Sequence, residues 1–173
     1  MRKLMVVFPC VAFVVALSLH TTLFAQEAKT PAATHDSLQL TGNGASVSIS
    51  PADFRVLPHI TRTVHNTHTD ATETYSGVEL ATLLAKINAP LGKDLHGATM
   101  TSYLVATGSD GYAVVLSLAE VDPAFHQGQV IVADTRDGQP LGKNGPFQLI
   151  VSDDKRPARW VHNLVSITLK RAE

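Results

Sequence analysis

Apolar residues alternate with polar ones over much of the second half of the chain, and this pattern predicts β-strands. Residues 101–118 contain two apolar runs on either side of the sequence "GSDG", which is the signature of a β-hairpin. Three later apolar runs, at 130–134, 147–151 and 165–169, predict three more strands. Residues 45–50 and 59–68 alternate in the same way, so we expect strands in the first half as well.

Helical patterns are fewer and shorter. Ser50 and Pro51 are typical of the cap and first position of a helix, and they predict a short helix at 51–57. A helix over residues 77–87 would place five apolar residues near one side, namely Val78, Leu80, Leu83, Leu84 and Ile87. Short helical stretches are also expected at 118–122 and near 157–161. Together these elements predict an α+β fold, with a single domain built from a mixed β-sheet and few short helices.

The first 44 residues differ from the rest in composition. A basic start, an apolar core at 4–19 and Ala25 as a cleavage position indicate a signal peptide over residues 1–25. The leader has one arginine rather than a twin-arginine pair, which favours export of an unfolded chain by the Sec route to the periplasm or medium. A retained membrane anchor is the alternative. Residues 26–44 are polar and punctuated by Pro and Gly, which predicts a flexible linker before a domain at 45–171.

Charge and cysteine content exclude several classes of function. Removal of residues 1–25 leaves 15 acidic and 12 basic residues, a balance that argues against binding to nucleic acid or to an anionic membrane surface. Cys10 is the only cysteine and is removed with the leader. The mature protein therefore has no disulfide, no thiolate nucleophile and no cysteine ligand for a metal.

The sequence "DDKRPARWV" at 153–161 interrupts two apolar runs and has two interpretations. It can be a solvated turn in which the two aspartates neutralise Lys155 and Arg156. It can also be a binding site for an anion, because a guanidinium pairs well with phosphate or carboxylate oxygens. Pro157 favours a change of chain direction, so we expect Lys155 and Arg156 to face outward and Arg159 to point into the main cavity of the domain.

The order of several short motifs resembles a known family. "YSGVELATLLAKINAP", "SDGYAVVLSLAEV", "VIVADTRDGQPL" and "GPFQLIVSDDKRPARWVHNLVSITL" together resemble the molybdopterin-binding domain of the sulfite oxidase family, over residues 45–170 approximately. The resemblance implies that family's fold and a molybdopterin cofactor. It also implies that Arg159 lines the cofactor pocket, with Lys155 and Arg156 adding positive potential nearby. His65 is a fourth candidate for cofactor contact.

Two departures from the family bear on catalysis. The segment "TRTVHNTHTDATETYSGV" contains no cysteine to bind molybdenum, and His162-Asn163 replaces the family's Lys-Trp pair. Soft thiolate ligation tunes such a metal, and His, Asn or Thr is not an equivalent donor. We therefore predict no thiolate-bound molybdenum, and the sequence identifies no catalytic residue.

Other groups of residues give weaker indications of function. His65 and His68, with Asp70 close by, invite a metal site, but residues i and i+3 of a strand face opposite sides, so we predict none. The sequence has no G-x-S-x-G elbow for a serine hydrolase. Three classes of function remain. The first is a module that binds a pterin-like or other small anion, the second an oxidoreductase component that acts with a redox partner protein, and the third an interaction domain with an inactive pocket.

Overall fold

The computed structural model describes residues 36–173, and this part of the chain contains ten β-strands and three short α-helices. The strands are β1 Leu38–Gly42, β2 Ala45–Ile49, β3 Ile60–Asn66, β4 Ala71–Glu79, β5 Ser102–Gly108, β6 Ala113–Ser117, β7 Val130–Arg136, β8 Gln139–Pro140, β9 Gln148–Val151 and β10 Leu164–Arg171. The helices are α1 Pro51–Arg55, α2 Leu80–Ala85 and α3 Leu118–Val121. Four 3₁₀ helices lie at Gly92–Asp94, Gly97–Thr101, Gly142–Asn144 and Pro157–Arg159.

The first sheet has the strand order β2-β1-β10-β5-β6. Strands β1 and β10 are parallel, with Leu40 opposite Ile167, whereas the other neighbours in this sheet are antiparallel. The sheet is therefore mixed, and its central strand, β10, comes from the far end of the domain's sequence.

The second sheet has the order β3-β4-β7, and both β8 and β9 pair with β7. All of its pairings are antiparallel. Helix α2 packs against β4 and β7. Its buried residues, Leu80, Leu83 and Leu84, join side chains from both sheets in one hydrophobic core.

Most elements expected from the sequence are confirmed. The domain is α+β, the hairpin at 101–118 forms β5 and β6, and the three late apolar runs form β7, β9 and β10. These strands are divided between the two sheets. Helix α1 begins as predicted, because Ser50 Oγ accepts a hydrogen bond from the Asp53 N–H at 3.1 Å and Pro51 occupies the first turn. The 118–122 and 157–161 segments form α3 and a 3₁₀ turn.

The predicted helix at 77–87 is too long. Residues Gly77, Val78 and Glu79 end strand β4, and the helix starts at Leu80. A Cβ built on Gly77 would lie 2.0 Å from the carbonyl oxygen of Val132. Gly77 therefore permits the close approach of β4 and β7 that the sequence pattern concealed.

The predicted start of the domain at residue 45 is also wrong. Strand β1 lies inside the segment predicted as a linker and pairs with both β2 and β10. Its Leu38 and Leu40 are fully buried in the hydrophobic core. Pro and Gly residues around this short strand obscured it. The predicted signal peptide lies outside the described residues. Within residues 36–173 no helix is long and apolar enough to cross a membrane.

Candidate functional site

A cavity of about 1010 Å³ opens in the described domain. We call it the main cavity. Its walls come from the β3–β4 turn at 66–69, the β5–β6 turn, the end of β7, the loop at 141–144 and the segment 156–162. Both sheets thus contribute to one site, and the volume is in the range of small-molecule pockets.

Basic residues outnumber acidic ones in the cavity lining. Arg136, Lys143 and Arg156 line the cavity, whereas Asp110 is the one carboxylate among the lining residues of the described chain. Asp110 Oδ1 also accepts a hydrogen bond from the Tyr112 N–H at 2.9 Å. Neither Lys143 nor Arg156 forms an ion pair within residues 36–173. These two cations are consequently the ones available to an anionic ligand.

A buried carboxylate lies beside the cavity. Glu73 is 6% exposed, and it accepts hydrogen bonds from Asn66 Nδ2 at 2.9 Å, Tyr75 OH at 2.7 Å and Thr69 Oγ1 at 3.2 Å. Its Oε1 lies 3.5 Å from Arg136 NH1. We call these five residues the Glu73 network.

The charge of Glu73 is stabilised by this network. Burial by itself raises the pKa of the Glu73 carboxyl, but the three hydrogen bonds and the nearby guanidinium outweigh burial, so its pKa is lowered overall. Burial, reinforced by Glu73, raises the pKa of the Tyr75 hydroxyl. Asn66 Oδ1 also accepts from the His68 N–H at 3.0 Å, so the network orders the β3–β4 turn that lines the cavity.

His162 faces the same site. Burial, followed by the positive charge of Arg136, lowers the pKa of the His162 imidazole. This favours the neutral imidazole, which can donate one hydrogen bond and accept another. A bound anion would oppose the effect of Arg136 and would favour protonation of the ring.

Arg159 does not point into the main cavity, so that prediction is wrong. Its Nε and NH2 donate to the two oxygens of Asp154 at 2.9 and 2.6 Å, and its NH1 donates to Glu120 Oε1 at 3.0 Å. We call these three residues the Arg159 cluster. The hydrogen bonds to Asp154, and to a smaller extent the one to Glu120, raise the pKa of Arg159 above its ordinary value. The cluster lines a separate cavity of about 210 Å³.

The two neighbouring cations differ in position. Arg156 and Lys155 are both exposed, as predicted, but Arg156 lines the main cavity and Lys155 is not among its lining residues. Arg156 has φ −137° and ψ 140°, the extended conformation expected before a proline. The turn therefore places Arg156 in the cavity wall, where Arg159 was predicted.

His65 lies outside the main cavity. Its side chain is 56% exposed, and Nε2 is 3.5 Å from Asp70 Oδ1. His68, in the turn between β3 and β4, lines the cavity instead. Residues 36–173 contain no group of three or more His, Cys, Asp or Glu residues arranged to hold a metal ion.

Several residues that line the main cavity were not predicted from the sequence. Arg136 ends strand β7, Lys143 lies in the 3₁₀ helix Gly142–Asn144 and Asp110 lies in a hairpin turn, all positions where a charged residue is ordinarily solvated. Their convergence depends on the pairing of distant strands. No local signal in the sequence could have identified them.

The lining chemistry fits one part of a molybdopterin and not the other. Guanidinium and ammonium groups suit its phosphate, and the exposed ring of Tyr112 offers aromatic surface for a planar ring. No cysteine lines the cavity within the described residues, so this chain supplies no thiolate for molybdenum there.

Comparison with known proteins supports the fold and leaves the ligand open. No family model matches the chain, and no curated protein matches it. Among solved structures, the sulfane dehydrogenase SoxCD from Paracoccus pantotrophus is similar, with a TM-score of 0.59 and 17% sequence identity. The match covers 79% of this chain and 39% of that chain. At this identity the likeness shows the fold alone, so the described domain shares its fold with part of that protein.

Proposed function

We propose that this chain is an exported binding domain for a small anionic ligand of the pterin-phosphate type, held in the main cavity. The observation that carries the proposal is the pair of cations, Lys143 and Arg156, that line a cavity of about 1010 Å³ without an ion-pair partner in the described chain. Export is supported by the leader sequence at 1–25.

Each wall has a separate part in binding. Lys143 and Arg156 contact the anionic group, where Arg156 can donate two hydrogen bonds in one plane. The exposed ring of Tyr112 contacts the flat face of the ligand ring, and buried Trp160 supports the wall beside it. Neutral His162 donates or accepts a hydrogen bond at the end of the cavity near Arg136.

The proposal separates binding from molybdenum catalysis. In an enzyme, the molybdenum carried by such a cofactor supplies the redox chemistry, and the protein binds and orients it. Here the lining residues support the binding of the organic anion only. Two other functions, an oxidoreductase component with a partner protein and an interaction domain with an inactive pocket, are outcomes that the experiments distinguish.

Protein purified from its own host provides the first test. An extract of the protein should show pterin fluorescence in stoichiometric amount, and elemental analysis should show no molybdenum. Molybdenum at one equivalent would favour the oxidoreductase component. An extract without any pterin, together with failure of the titration below, would favour the interaction domain.

A titration with 6-carboxypterin provides the second test. Trp160 is the single tryptophan and lines the cavity, so its indole N–H gives one NMR signal that reports on the site. Arg156→Gln should weaken binding by about tenfold, near the lower limit for hydrogen bonds to charged groups because the side chain is exposed. Lys155→Gln removes the neighbouring charge outside the cavity and should change the dissociation constant by less than about twofold at 150 mM salt. Equal effects of the two variants would refute the assignment of the site.

A further inference from the structure

We infer that Arg159 is a positioning residue of the anion site: it holds Arg156 and Trp160 in the cavity wall without contacting the ligand. The inference rests on the proposed function, since it concerns the same cavity. It assigns to Arg159 a role different from the direct contact that the sequence predicts.

The hydrogen bonds of Arg159 leave little capacity for an anion. All three guanidinium nitrogens already donate to carboxylate oxygens, two of them to Asp154 in a bidentate pair and one to Glu120. The Arg159 cluster thus has two negative charges against one positive charge. An anion approaching this cluster would meet net repulsion.

The cluster joins the two sheets behind the wall of the main cavity. Asp154 follows β9 of the second sheet, and Glu120 lies in α3, directly after β6 of the first sheet. Glu120 is itself fixed, because its Oε2 accepts from the Ser117 N–H at 2.7 Å and its Oε1 accepts from Arg159. The guanidinium therefore ties the turn at 153–159 to a fixed point on the other sheet.

The turn transmits this restraint to the cavity. Pro157–Arg159 is a single 3₁₀ turn, closed by the Trp160 N–H donating to the Pro157 carbonyl at 3.0 Å. Arg156 precedes the turn immediately and Trp160 follows it. The φ of Pro157 is fixed by its ring, so a displacement of Arg159 moves both neighbours.

Two further side chains hold the same segment. The Trp160 indole N–H donates to the Val151 carbonyl at 2.9 Å, and its ring meets Tyr75 edge-on with centroids 5.7 Å apart. The Tyr112 hydroxyl, from the β5–β6 turn, donates to the Ala158 carbonyl. With Arg159 these contacts form three attachments for a wall that has few backbone hydrogen bonds of its own.

A double-mutant cycle on the full mature chain tests the inference, with inorganic pyrophosphate as the probe. Arg159→Gln alone should weaken pyrophosphate binding by about tenfold, the effect of losing one well-placed charged hydrogen bond at Arg156. On an Arg156→Gln background the same substitution should change binding by less than about twofold, because the group it positions is already absent. Additive losses in the two backgrounds would overturn the inference.

A spectroscopic signature separates positioning from general destabilisation. In ligand-free Arg159→Gln the Trp160 indole N–H signal should shift and exchange faster with solvent, while ligand-free Arg156→Gln and Lys155→Gln should keep the wild-type signal. If urea denaturation shows that Arg159→Gln is too unstable to fold, Glu120→Gln serves as the second variant. It keeps a neutral acceptor and should weaken binding by about threefold, less than Arg159→Gln would in a folded protein.

The outcomes for the two proposals differ. Wild-type protein that shows no saturable pyrophosphate binding would overturn the proposed function, and the inference with it. Wild-type protein that binds, together with Arg159 and Glu120 variants that bind equally well, would overturn the inference alone.

Discussion

The substitution Glu73→Gln removes one charge from a buried position and keeps the side-chain shape. Glu73 Oε2 accepts two hydrogen bonds, from Asn66 Nδ2 and from the Tyr75 hydroxyl. In both, the acceptor is a charged carboxylate. An amide oxygen in that place would retain neutral hydrogen bonds, which are worth about 1 kcal/mol less each. The amide nitrogen would then face Arg136 NH1 and lose a partly exposed ion pair worth about 0.5 kcal/mol.

We expect Glu73→Gln to lower the free energy of unfolding by about 2.5 kcal/mol at pH 7. Urea denaturation followed by the fluorescence of Trp160, the one tryptophan, measures this change. With an m-value of about 1.5 kcal/mol/M, the midpoint should fall by about 2 M. Glu79→Gln removes a carboxylate from the same strand outside the network and should change stability by less than about 0.5 kcal/mol.

The pH dependence supplies a second check on the same substitution. The pKa of Glu73 is lowered in the folded protein, so its contribution to stability is complete above the pKa of the unfolded chain. That contribution disappears as the pH falls through the folded pKa. The difference between wild type and Glu73→Gln should be constant from pH 6 to pH 8 and should shrink in acid. A loss below about 1 kcal/mol at pH 7, or one that is unchanged at pH 3, would show that the charge is not stabilised by the network.

Three more predictions concern single residues. Ser50→Ala should lower the free energy of unfolding by about 1 kcal/mol in urea denaturation, because it removes the side-chain cap of α1; Ser46→Ala, on an exposed strand position, should have little effect. Gly77→Ala should destabilise the protein by about 3 kcal/mol or more, since its Cβ would meet the backbone of β7, and a wild-type urea midpoint would contradict the close approach. In an NMR titration His162 should have a pKa below the ordinary value for histidine, and pyrophosphate should raise it; an unchanged pKa would exclude contact between the ring and the anion.

The sequence was sufficient to predict strands with a regular alternation of apolar and polar residues. It was insufficient for β4, in which buried Glu73 occupies a position that the alternation would assign to an apolar residue. A carboxylate is ordinarily exposed, so the pattern broke at the residue that forms the network beside the cavity. Gly77, two positions after Tyr75, removed a second apolar signal from the same strand.

The candidate site was harder to predict than the fold. The basic turn at 153–159 was identified, but the direction of its arginines depends on Glu120, which is 39 residues away from Arg159 in the sequence. Asp154, in the same turn, accepts two of the three hydrogen bonds of Arg159, and Glu120 accepts the third. Composition and local spacing contain no information about the contact with Glu120.

The parallel pairing of β1 with β10 has a consequence for how the chain folds. Thr41 and Thr168, which hydrogen-bond across this pair at 3.2 Å, are 127 residues apart in sequence. The hairpins β1–β2 and β5–β6 can form locally, but they are joined only when β10 inserts between them. Contacts of such high sequence separation slow folding, because the loop must close before the pairing stabilises it. A nascent chain of this protein therefore stays without its complete first sheet until β10 has been made.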